Sequence, residues 1–219
     1  MTSQQLVVAL PKGDTAITLD VERAENAWAM MPIAHGAGAG MNHAFLVGFA
    51  EGMRAQGVST ARFNFPYSEA GRRMPGPAAH AIATWRAVVD ELASEPVLWA
   101  AGKSYGGRMA SMAVADGMSV AGLVYLGYPL HQPGKPEAPR AEHLPAITVP
   151  QLFIEGTKDA FVLPHSQLEE IVSALPSATI SWIEGGGHSF EVAGKKRGAD
   201  EVGADLAPLV AALMRQHTS

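Results

Sequence analysis

Short apolar runs alternate along the chain with longer segments whose apolar positions recur at helical spacing. The first two runs, Leu6 to Leu10 and Ala16 to Val21, are separated by Pro11-Lys12-Gly13-Asp14, a strong turn signal, and predict a β-hairpin. Further strand-like runs lie at Ala29 to Ala34, Thr60 to Phe65, Val97 to Ala101, Gly122 to Leu126, Gln151 to Glu155 and Thr179 to Ile183. Helices are predicted between them, over Asn42 to Gln56, Pro77 to Ala93, Ser104 to Asp116, Pro164 to Ala174 and Ala199 to Arg215. Strands alternating with helices imply a mostly parallel sheet with helices on both faces. The expected fold class is therefore α/β, in one domain over residues 1–219, with about eight strands and the second antiparallel to the rest. One segment breaks the rhythm. Tyr128 to Pro150 carries Pro129, Pro133, Pro136, Pro139, Pro145 and Pro150, so it cannot be helical throughout and is expected to be a long loop, functional or mobile.

Composition narrows the partners. With 219 residues, 47% of them hydrophobic, the chain is large enough to bury a substantial core. A net charge of -5 and no basic run give nothing to attract nucleic acid or anionic membrane, which leaves a small-molecule substrate as the expected partner. The absence of cysteine removes disulfides, thiolate nucleophiles and the usual structural zinc sites, and suits a reducing compartment, the cytoplasm. MTSQQLVVALPKGD lacks the basic leader and apolar core of a signal peptide, and no run approaches the roughly 20 apolar residues of a membrane span. A soluble protein is expected. Composition and pattern set no oligomeric state.

The chemistry begins at Gly102-Lys103-Ser104-Tyr105-Gly106, a G-x-S-x-G between a predicted strand and a predicted helix. A nucleophile elbow needs that setting, because the backbone turns so tightly that a Cβ on either side of the serine would meet its neighbours. Two rival readings of the glycines fail. A P-loop ending at Gly102-Lys103-Ser104 needs glycine at Val97, and a dinucleotide fingerprint starting at Gly36 needs glycine at Met41, so no nucleotide cofactor is expected. Glycine-rich His35-Gly36-Ala37-Gly38-Ala39-Gly40 is better suited to supply a backbone donor to an oxyanion. Ala37 N–H and Tyr105 N–H are the expected pair, with Gly38 the alternative to Ala37. His35 is expected to shape that loop rather than to react.

A serine nucleophile requires an imidazole to take its proton and a carboxylate to orient that imidazole. Asp159 follows the strand Gln151 to Glu155, and His188 follows the last strand. In a parallel sheet these strand ends point the same way, so Ser104, Asp159 and His188 can converge on one rim. Their chain order, Ser then Asp then His, is that of α/β-hydrolases. No cofactor is required. Nor is a metal site expected, since no two histidines stand at helical i, i+4 spacing and cysteine is missing.

Together GKSYGGR, HGAGAGMNH, RFNFPYSEAGRR, YPLHQPGKP with RAEHLPAI, GTKDAF and GGGHSF resemble the small α/β-hydrolases of the KANSL/Tex type, related to dienelactone hydrolases. The resemblance covers nearly the whole chain. It implies the α/β-hydrolase fold, the triad roles for Ser104, Asp159 and His188, and pocket-edging loops that carry Arg72, Arg73, His131 and Arg140. Dienelactone hydrolases carry a cysteine nucleophile that this chain lacks, so their substrate does not transfer. Many proteins of this fold insert a helical cap after the sixth strand. Only Tyr128 to Pro150 is available here, so an open site without a substantial cap is expected. Hydrolysis of a carboxylic ester or thioester through an acyl-enzyme is the leading expectation. The alternatives are a binding or scaffold protein with an idle triad, or a peptidase or acyltransferase using the same residues. Arginines near the expected mouth, Arg72, Arg73, Arg108 and Arg140, admit a substrate bearing a carboxylate or phosphate.

Overall fold

The computed structural model describes residues 2–95 and 97–218. Its strands are β1 (Thr2–Val8), β2 (Thr15–Glu22), β3 (Ala29–Ala34), β4 (Val58–Phe63), β5 (Trp99–Lys103), β6 (Gly122–Leu126), β7 (Gln151–Gly156) and β8 (Ala178–Ile183). Its helices are α1 (Ala44–Ala55), α2 (Pro66–Glu69), α3 (Ala78–Glu91), α4 (Tyr105–Ala115), α5 (His165–Ser173) and α6 (Ala199–Arg215). The strands form one eight-stranded sheet in the order β1-β2-β4-β3-β5-β6-β7-β8. β2 runs antiparallel to both its neighbours, and from β4 onward every pairing is parallel. This is the expected α/β-hydrolase architecture, with no separate cap domain.

The central strands read as unbroken apolar runs because both faces of the sheet are covered. In β6, Leu123 and Tyr125 pack on one face with Trp85 of α3, Met109 and Ala113 of α4 and Leu168 of α5. Their neighbours Val124 and Leu126 pack on the other face with Phe49 of α1 and Leu206 and Val210 of α6. The period-two alternation of the strand thus feeds two cores. At roughly 25 cal/mol per Å² of apolar surface removed from water, these cores supply the main driving force for the sheet.

Element boundaries differ from the pattern-based expectation in two informative places. β1 starts at Thr2 rather than Leu6, since the polar residues Thr2 to Gln5 pair in register with Val21 to Thr18 at the sheet edge. α2 was not expected; it begins at Pro66, whose fixed φ suits the first helical position. Tyr128 to Pro150 is a loop, as expected, with one 3-10 turn at Leu144–Ala146. It packs closely on the domain: Leu130, His131 and Leu144 are buried.

Candidate active site

Ser104 lies between the end of β5 and the first turn of α4, at φ 50° and ψ -113°. A non-glycine residue in that region stores strain of order 1–3 kcal/mol, which the surrounding structure must hold in place. Flanking glycines make the turn possible. A Cβ on Gly102 would stand 2.2 Å from the Gly107 nitrogen, and one on Gly106 would stand 2.6 Å from the His35 carbonyl oxygen. The tight turn projects the serine side chain above the sheet, where it borders a cavity of about 390 Å³.

The structure brings Ser104, His188 and Asp159 into one hydrogen-bonded chain. Ser104 Oγ is 2.8 Å from His188 Nε2, and His188 Nδ1 is 2.6 Å from Asp159 Oδ2. An ionised carboxylate only accepts, so Nδ1 carries the ring proton and Nε2 is left to accept from the serine hydroxyl. Asp159 is fully buried, and its other oxygen accepts the Phe161 N–H at 2.8 Å. The Phe161 ring lies against the imidazole with centroids 4.3 Å apart. That contact limits rotation of His188 and narrows its access to water.

Among the described residues the amides of Ala37 and Tyr105 donate to no protein acceptor. Both residues line the cavity with Ser104. Tyr105 opens α4, whose first-turn N–H groups have no partners within the helix and favour negative charge. The Ala37 loop is held by His35, whose Nδ1–H donates to Gly36 O (2.8 Å) and whose Nε2 accepts the Phe65 N–H (3.2 Å). Burial lowers the His35 pKa and keeps the ring neutral in that role.

Two side chains escaped the sequence reading. Lys103, directly before Ser104, is buried and donates from Nζ to the His188 carbonyl oxygen at 2.7 Å. Burial pulls its pKa down to about 8 against the opposing pull of Asp159, Glu155 and Glu191. Glu155, at the end of β7, is fully buried and accepts the Tyr128 N–H at 2.6 Å. Burial raises its pKa well above 4.5. A lysine closing an otherwise apolar strand was the available signal.

The cavity wall also includes His43, Phe45, Leu46, Arg108, Pro129, Arg140 and Phe161. Of the expected pocket-edging residues, Arg140 is there, whereas Arg72, Arg73 and His131 are not among the lining residues; nor is Gly38, the alternative oxyanion donor. Arg72 and Arg73 are exposed. His131 is fully buried and its Nδ1 bonds the neighbouring Gln132 carbonyl (2.8 Å), so its ring braces the loop. His143 likewise bonds Ser111 Oγ (2.7 Å) rather than facing the cavity. Among the described residues no group of three or more His, Asp or Glu side chains is placed to hold a metal ion, and no helix is long and apolar enough to cross a membrane.

Solved structures share this fold at low sequence identity. An alpha-beta serine hydrolase homologue from Coxiella burnetii superposes with a TM-score of 0.73 at 20% identity, over 98% of both chains. A dienelactone hydrolase from Anabaena variabilis gives 0.75 at 19% identity, over 98% of this chain and 97% of that one. A Xanthomonas campestris protein described as a serine hydrolase without lid gives 0.70 at 20% identity, over 98% of this chain and 94% of that one. The family model described as the alpha/beta hydrolase domain matches residues 27–215, and the chain belongs to that family.

Proposed function

We propose that the protein is a serine hydrolase that cleaves a carboxylic ester or thioester of a small soluble substrate through an acyl-enzyme. Family membership and fold support hydrolysis in general. The observation that carries the finer reading is the continuous chain from a strained Ser104 through His188 to buried Asp159, opening onto a cavity.

In this reading Ser104 Oγ attacks the substrate carbonyl carbon as its proton passes to His188 Nε2. Asp159 stabilises the imidazolium so formed. The oxygen of the tetrahedral intermediate becomes an anion and accepts the Ala37 and Tyr105 N–H groups, each worth about 10²- to 10³-fold in rate. Collapse breaks the bond to the alcohol or thiol, which leaves with the proton from His188. Water, deprotonated by the same nitrogen, then attacks the acyl-enzyme and releases the acid. The GKSYGGR, GTKDAF and GGGHSF motifs resemble those of the KANSL/Tex type. A cysteine-free chain suits the cytoplasm.

A panel of short-chain esters and thioesters tests the proposal, with added amines and alcohols as competing acceptors. Release of free acid supports hydrolysis. Accumulation of amide or transferred ester assigns acyl transfer instead, and a folded protein inert on the whole panel favours the binding or scaffold reading.

A further inference from the structure

One wall of the Ser104 cavity holds two positive charges, and no acidic side chain is among the residues that line it. Arg108 and Arg140 both line the cavity. Five arginines elsewhere pair with acids, Arg54 and Arg62 with Glu22, Arg23 with Glu95, Arg86 with Asp116, and Arg197 with Glu201 and Asp205, whereas Arg72 and Arg73 are exposed and form no ion pair among the described residues. Among the described residues neither the Arg108 nor the Arg140 guanidinium forms an ion pair, and Arg108 Nε is buried with no hydrogen-bond partner.

Both arginines are held from the backbone. Arg108 N–H donates to Ser104 O at 3.1 Å, one helical turn along α4. Arg140 N–H donates to Leu130 O (2.6 Å), and its own carbonyl accepts the Tyr128 hydroxyl (2.7 Å). Burial and the neighbouring Arg108 charge both lower the Arg140 pKa. The surroundings offer little relief. His143, pushed down to about 4 by burial and by Arg108, is neutral at pH 7, and the exposed Glu142 beside it pairs with neither arginine.

We propose that Arg108 and Arg140 form an anion subsite within the Ser104 cavity, so that the substrate carries a carboxylate or phosphate on the part lying against α4 and the 128–150 loop. The inference rests on Ser104 being the reacting residue. Guanidinium forks match planar oxyanions bidentately, and a buried donor without a partner gains most from a charged acceptor. Arg108 follows Ser104 by one turn of α4, which places its backbone about 6 Å along the helix from the serine. Of the four arginines expected near the mouth, Arg72 and Arg73 are exposed and outside the cavity wall, which leaves Arg108 and Arg140.

The test compares monomethyl succinate with methyl succinamate, its neutral isostere, and with methyl 3-phosphonopropanoate, for the wild-type protein, Arg108→Gln, Arg140→Gln and Arg140→Lys. Melting curves verify folding of each variant. The expected result is a kcat/KM ratio, anionic over neutral, of about tenfold or more, falling about tenfold in either glutamine variant and only partly in Arg140→Lys. A higher value for the succinate assigns the subsite to carboxylate, and a higher value for the phosphonate assigns it to phosphate. A ratio near one in the wild type, or a preference that survives both glutamine variants, overturns the proposal. Calorimetric binding of the same compounds to Ser104→Ala separates this result from failure of the hydrolase reading. Binding of an anionic ester that weakens about tenfold when Arg140→Gln is added supports the subsite even if no ester is cleaved; absence of such binding refutes it.

Discussion

The Ser104 cavity has two cationic regions that differ in what faces them. At one, Lys103 lies among Asp159, Glu155 and Glu191 and spends a hydrogen bond on the His188 carbonyl. At the other, Arg108 and Arg140 form no ion pair among the described residues, and no acidic side chain lines the cavity. A compensated, buried cation bonded to the protein itself can hold a loop in place, but it has little field left for a ligand. An uncompensated pair keeps its donors free for one. The difference separates a structural charge from a recognition charge within a single pocket, and it is invisible to a count of basic residues.

The largest predicted effect removes the reacting group that both regions serve. Ser104→Ala should lower kcat by about 10⁶-fold, and His188→Ala should do nearly the same, since residues acting as a unit fail together. Steady-state ester hydrolysis checks this; a loss below about tenfold in either variant breaks the mechanism. Because His188 accepts the serine proton only when neutral, kcat/KM should fall as the solution is made acidic, and a rate that does not fall contradicts the role.

Lys103→Met sharpens the comparison from the compensated side. It leaves the partly buried His188 carbonyl without its donor, and kcat should fall about tenfold or more with KM little changed, because the imidazole loses its positioning. A dominant change in KM would instead place Lys103 in recognition. The smallest effect concerns stability. Glu155 has its folded-state pKa raised by burial, so the fold favours the protonated form and stability is lost as pH rises from about 4.5 toward the folded value. Glu155→Gln keeps an acceptor for the Tyr128 N–H without the charge. Its melting temperature should match the wild type near pH 4.5 and exceed it by a few degrees at pH 8. A gap that narrows with rising pH would reverse the sign of that argument.

Much of the fold was legible because a parallel sheet buried on both faces leaves long apolar runs, as in Gly122 to Leu126. β1 was read short for the opposite reason: backbone pairing with β2, rather than hydrophobicity, extends it through Thr2 to Gln5. The four residues of α2 are too few to show helical periodicity. In the site, chain order and strand ends brought Ser104, Asp159 and His188 to one rim on paper, because topology alone dictates where strand ends meet. Side-chain direction was not available in the same way. Arg72, Arg73 and Arg140 all sit in loops, and nothing in their spacing distinguishes the one that turns into the cavity. Arg108 did carry a signal, since it falls in the first turn of the helix that the serine opens. Phe161 carried none; its contact with His188 depends on the turn after Asp159.

The most direct measurement of the central claim is covalent labelling with a fluorophosphonate probe, which captures a serine only when a neighbouring base and oxyanion donors activate it. The wild-type protein should be labelled on Ser104, with labelling abolished in Ser104→Ala and strongly reduced in His188→Ala. Unchanged labelling of Ser104→Ala, or no labelling of a correctly folded wild-type protein, would contradict the account.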